Sequence, residues 1–132
     1  MKTSIAIALL SLAILSLTGC SKPNPEAPIA ASKVEVTVPK WGPHGTKAGE
    51  GFAVQSNGNS AIWFEQHGIN SAESVEVWFD NTKLGGMAIH PNEGGSAEVP
   101  AALLVKPGKY PIYLVLKPSN QRVDVGTFDI TP

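Results

Sequence analysis

The sequence predicts an all-β chain folded as a two-sheet antiparallel sandwich of seven or eight strands, and three observations carry that prediction. Apolar and polar residues alternate at period two around residues 34–38, 60–66, 74–79 and 109–116, the signature of strands with one buried and one wet face. All eleven prolines and twelve of the thirteen glycines fall after residue 19, and within that part only residues 69–84 run longer than ten without either. That density of breakers excludes a helical bundle. Turn chemistry then recurs at short intervals across about 100 residues, the spacing of a sandwich.

Taken in order, Val34, Val36 and Val38 alternate with Lys33, Glu35 and Thr37 as a first strand. Residues 39–51, with four glycines and two prolines, read as a long loop leading to a short extended stretch at residues 52–55. Asn57-Gly58 is a hairpin turn. In residues 60–66, Ile62 and Phe64 take the inner face and Ala61, Trp63 and Glu65 the outer. In residues 74–79, Val75, Val77 and Phe79 are inner and Ser74, Glu76 and Trp78 outer. Asp80-Asn81-Thr82-Lys83 is a turn, residues 87–89 a short strand closed by His90-Pro91, and residues 96–99 another strand. Residues 109–116 place Tyr110, Ile112, Leu114 and Leu116 on one face, with Pro111 requiring a local edge or bulge. In the last segment Val123 and Val125 share one parity and Phe128 and Ile130 the other, which a bulge at Gly126 reconciles. A small closed barrel is the other all-β arrangement compatible with this pattern.

The first nineteen residues have the grammar of a secretory signal: Lys2 near the start, an apolar run over residues 5–17, then Thr18 and Gly19. The run falls short of the roughly 20 residues a permanent span requires. Leu17-Thr18-Gly19-Cys20 resembles the bacterial lipobox, and Cys20 is the sole cysteine. The resemblance implies cleavage before Cys20 and its diacylglyceryl modification. Two or three acyl chains would hold the chain to a membrane leaflet without a spanning helix. Ser21 in the next position, where Asp resembles an inner-membrane retention signal, favours the outer membrane. Residues 20–31, with Pro23, Pro25 and Pro28, form a tether reaching roughly 35 Å, and residues 32–132 form the domain.

In order and spacing the domain resembles the IPT/TIG family of immunoglobulin-like domains over residues 33–131. The resemblance rests on residues 34–39, the glycine loop at residues 42–49, Ser74-Val75-Glu76-Val77-Trp78-Phe79, Ala97-Glu98-Val99-Pro100, Pro107-Gly108-Lys109-Tyr110 and Phe128-Asp129-Ile130. Residues 57–69 are longer and more aromatic than the corresponding family connection. The family occurs as adhesion, spacer and carbohydrate-associated modules, so the resemblance implies binding or presentation and no activity.

The residue chemistry agrees with a non-catalytic reading. Apart from Lys2, nine Lys and Arg stand against eleven Asp and Glu, a balance that disfavours nucleic acid as a partner. A single cysteine permits no internal disulfide. His44, His67 and His90 are spaced too widely for a metal site and each adjoins Gly or Pro; no metal or cofactor is expected. Gly94-Gly95-Ser96 lacks the second glycine of a nucleophile elbow, and turns or strand ends account for Asp80, Asp124 and Asp129. Trp63 and Trp78, on the outer parity beside Glu65 and Glu76, and Trp41 in the glycine loop are the candidate ligand-binding residues. Trp63 and Trp78 are expected on one interaction face; the competing arrangement makes Trp78 a core tryptophan. The expected function is a lipid-anchored, non-catalytic binding or presentation module of the bacterial envelope. Its expected partners are the membrane, through Cys20, and an envelope protein or glycan. A structural subunit of an envelope complex and a small hydrolase are the alternatives.

Overall fold

The computed structural model describes residues 34–132. The expected signal segment, the lipobox-like stretch with Cys20 and the expected tether lie outside the described residues. Nine strands follow in order: β1 (Thr37–Gly42), β2 (Gly45–Lys47), β3 (Ser60–His67), β4 (Val75–Phe79), β5 (Thr82–Lys83), β6 (Gly85–His90), β7 (Gly94–Val99), β8 (Gly108–Leu116) and β9 (Gln121–Thr131). Short 3-10 turns at Ala72–Ser74 and Ala101–Leu104 precede β4 and β8. One sheet has the order β1-β3-β7-β6 and the other β2-β9-β8-β4-β5. The fold is an immunoglobulin-like sandwich: β1, β3, β7 and β6 correspond to one immunoglobulin sheet, and β4, β8 and β9 to the other. Every pairing is antiparallel except β2 with β9, which is parallel.

The faces follow the alternation. Ile62 and Phe64 of β3, Val75, Val77 and Phe79 of β4, Ile112, Leu114 and Leu116 of β8, and Phe128 and Ile130 of β9 are buried together between the sheets. The β8–β9 register steps from Ile112 opposite Gly126 to Tyr113 opposite Asp124. Val125 is therefore the extra residue of a bulge, and the two parities of this segment are reconciled where the sequence requires it. Pro111 lies where β4 has ended, and its carbonyl accepts from the Asp80 N–H (2.7 Å), so its missing donor costs the ladder nothing. Tyr110, near the start of β8, donates its hydroxyl to the Lys106 carbonyl (2.9 Å). This is the tyrosine corner of immunoglobulin-like sandwiches.

Four elements differ from the sequence expectation. The first strand begins at Thr37; before it Val34 is exposed, its carbonyl taken by Gln121 Nε2 (3.2 Å) instead of a ladder partner. The expected loop at residues 39–51 contains the second half of β1 and all of β2, through which the chain crosses from one sheet to the other. Residues 52–55 form no strand, because Ala53 adopts a left-handed conformation (φ 42°) that breaks an extended run. Thr82 and Lys83, assigned to a turn, form β5 against Phe79 and Trp78.

Candidate aromatic binding surface

On the outer face of the four-stranded sheet, one row sets a single indole among small residues. Trp63 stands between buried Ile62 and Phe64, so alternation directs it outward, and it is 48% exposed. Its cross-strand neighbours are Gly42 on β1 and Ser96 on β7, with Ala88 of β6 opposite Ser96. A methyl group at Gly42 would lie 3.1 Å from Trp63 Cζ2, so the indole leans over the glycine. The next row carries Lys40, Glu65, Gly94 and His90. Lys40 Nζ and Glu65 Oε1 are 3.6 Å apart in an exposed pair, worth at most about 1 kcal/mol. On the other flank, Glu98 Oε2 accepts from Asn57 Nδ2 (2.7 Å) and Asn59 Nδ2 (2.9 Å). The Asn59 and Asn57 amides hold the Glu98 carboxyl below its ordinary pKa by hydrogen bonding to its charged form.

Trp41 pairs with Phe64 across the β1–β3 ladder, so its indole turns inward and packs half-buried against the core. It reaches β9, where a Cβ at Gly126 would stand 2.5 Å from Trp41 Cζ2, so the glycine makes room for the ring. His44 meets Trp41 edge to face at 4.6 Å. Pro39, Lys40, Trp41, His44 and Trp63 line an open recess of about 450 Å³ at the β1 edge. Trp41 and Trp63, named separately by the sequence, therefore meet at one place.

Trp78 does not join them. It too points outward from its strand, since Val77 and Phe79 are buried, but β4 belongs to the other sheet. The expectation of one face holding Trp63 and Trp78 fails because the strands that carry them lie in different layers. Trp78 is also engaged already: it stacks on Tyr113 (6.1 Å between centroids, 6° between planes), and Arg122 Cζ lies 3.8 Å from the Tyr113 centroid. The Trp78 indole N–H donates to Glu76 Oε2 (3.2 Å). Glu76 also receives Lys83 (2.7 Å) and faces Lys117 (3.6 Å). Lys83's hydrogen bond, with those of Trp78 and the charge of Lys117, lowers the Glu76 pKa against the opposing effect of desolvation.

The remaining candidates are dispersed. His44 lies in the β1–β2 connection, and His67 and His90 end β3 and β6. Among the described residues no group of three or more His, Cys, Asp and Glu converges. Asp124 pairs with Arg122 (2.7 Å) and Asp129 with Lys109 (3.3 Å).

Sequence reasoning passed over Gln66, an amide on the inward parity of β3. Fully buried, it donates through Nε2 to the carbonyls of Ile69 (3.0 Å) and His90 (3.1 Å) and accepts the Ile69 N–H at Oε1 (2.8 Å). A glutamine continuing the parity of Ile62 and Phe64 was the available signal, because a buried amide must be satisfied locally. Compared with known proteins, the sequence matches no family model and no curated protein.

Proposed function

We propose that this chain is a non-catalytic binding module of a bacterial envelope. In this reading it is carried on a lipid at Cys20, on the outer membrane, and contacts an envelope protein or glycan through the Trp63 face. The IPT/TIG resemblance belongs to the same proposal and supplies the expectation of binding or presentation. The observation that carries the reading is Trp63, a large apolar side chain left 48% exposed among glycine, alanine and serine. A large aromatic in a row of small residues, flanked by polar rows, suits the anchor of an interface or a platform for a sugar ring. The Lys40–Glu65 pair and His44 beside the recess offer donors and an acceptor for a polar rim.

Site-specific photocrosslinking tests this. A benzophenone side chain at position 63 in intact cells should give a discrete adduct, and the same group at position 127, on the opposite sheet, should not. Adducts of equal yield at both positions, or none at 63, would overturn the assignment.

A further inference from the structure

A sheet edge left unprotected invites another strand, and folded proteins blunt edges with prolines, charges, short strands or bulges. Three of the four edges among the described residues are blunted in that way. β1 carries Pro39 and Lys40 and has an irregular register, β2 has three residues and ends on Lys47, and β5 has two and carries Lys83. The part of β4 beyond β5 presents Glu76 with Lys83 and Lys117.

β6 is different. Its six residues, Gly85-Gly86-Met87-Ala88-Ile89-His90, include no proline and no acidic or basic side chain other than the terminal histidine. Its one irregularity, Gly86 and Met87 together opposite Ala97, sits at the start. The Glu93 N–H closes the β6–β7 turn on the His90 carbonyl (3.1 Å). His90, opposite Gly94, and Ala88, opposite Ser96, therefore direct their backbone groups to β7. Alternation leaves the N–H and C=O of Met87 and Ile89 pointing away from the sheet.

We propose that β6 is a pairing edge for a second copy of this chain, joined antiparallel about a two-fold axis at Ala88. The register that uses the free groups sets Met87 against the partner's Ile89 and Ile89 against the partner's Met87, giving two hydrogen-bonded pairs. Met87 and Ile89 are both half-buried on the core side, so each apolar side chain meets an apolar one across the new ladder. Ala88 meets its own copy on the outer face, where a methyl group leaves room for close approach. One residue further, Gly86 stands opposite the partner's His90. The space a side chain at Gly86 would fill is occupied by the Glu98 carboxylate. Each His90 thus arrives beside an acid, twice by symmetry, and no like charges oppose each other. Self-complementarity of this kind is what a two-fold interface demands, and it commits the edge to a second copy over an unrelated strand. The two four-stranded sheets become one of eight, with the two Trp63 side chains on one face, five strand spacings or roughly 24 Å apart.

The test uses the full chain in detergent. Residues meeting at a non-hydrogen-bonded antiparallel position have Cα atoms about 4.5 Å apart, within disulfide range. Under mild oxidation, Ala88→Cys should give a reducible dimer several-fold more abundant than either the unsubstituted chain, which reports Cys20, or Ala61→Cys on β3. In light scattering, the unsubstituted chain should have twice the mass of Ala88→Lys, with both showing the same β-type circular dichroism. A dimer yield for Ala88→Cys no greater than for Ala61→Cys, a single-chain mass before substitution, or a disulfide joining the Ala88→Cys variant to a different protein would each overturn the proposal.

Discussion

Trp63 and Gly42 face each other across the β1–β3 ladder, and the indole lies over the glycine at a distance that barely admits a methyl group. The ring is thus positioned by an absence of side chain beneath it, and about half of it stays in water. Ile62 and Phe64, its neighbours in sequence, have already claimed the core. A strand cannot bury both parities unless both faces are covered. The same rule turns Trp78 outward on the opposite sheet, but there Tyr113, Glu76 and Arg122 engage the side chain or its stacking partner. Exposure and availability part company between the two residues.

Gln66→Leu should clearly destabilise the domain. It leaves the buried Ile69 N–H without a partner and takes one of two donors from the carbonyls of Ile69 and His90, which keep the N–H groups of Asn92 and Glu93. One unsatisfied buried donor costs about 1 to 3 kcal/mol, so a loss near 2 kcal/mol is expected. Urea denaturation measures it, and a loss under about 1 kcal/mol would contradict the structural role.

The Tyr110 hydroxyl separates cleanly from its ring. Tyr110→Phe removes the bond to the Lys106 carbonyl and should cost about 1 kcal/mol. Tyr110→Ala also removes the ring stacked 5.3 Å from Phe79, and should cost about 3 kcal/mol. Equal losses for the two would show that the corner bond, and not the packing, dominates.

Gly126→Ala places a methyl group against Trp41, whose half-buried ring must then shift. Overpacking of this kind costs about 1 to 3 kcal/mol. The Trp41 resonances should move in an NMR spectrum while those of Trp78 stay fixed. Unchanged Trp41 signals would mean that the ring does not rest on Gly126.

Acid should weaken the fold through Glu76 and Glu98. Both have pKa values lowered in the folded state, so the folded chain binds fewer protons than the unfolded one as pH drops through the carboxylate range. Their contribution is complete above the ordinary value of about 4.3 and is lost as pH falls through the folded values. A chain carrying Glu76→Gln and Glu98→Gln should show a flatter stability profile below about pH 4.5. An unchanged acid limb would place the sensitivity elsewhere.

Much of this fold was legible because strands with one buried face write their period into the sequence. Ile62 and Phe64, the Val75–Val77–Phe79 series and the two parities of the final strand specified inner faces and even a bulge. β2 was not legible. Its three residues pair in parallel with Asp129, Ile130 and Thr131, and Gly45 is there so that the Asp129 carbonyl can approach, which leaves no alternation to read. The extended look of residues 52–55 misled because the left-handed turn at Ala53 depends on tertiary contacts. Phe52 packs 5.1 Å from Phe128, and its N–H donates to the buried Ser60 hydroxyl (3.0 Å). Of the site, periodicity gave the outward direction of Trp63 and Trp78. Which sheet each joined depended on pairing, which period two does not encode.

The central claim, that Trp63 serves binding and not packing, is tested most directly by Trp63→Ala. The variant should unfold within about 1 kcal/mol of the unsubstituted chain and lose the partner adducts formed in intact cells by a chemical crosslinker. A stability loss of roughly 3 to 5 kcal/mol, the cost of emptying a core site, with adduct formation retained in the molecules that remain folded, would contradict it.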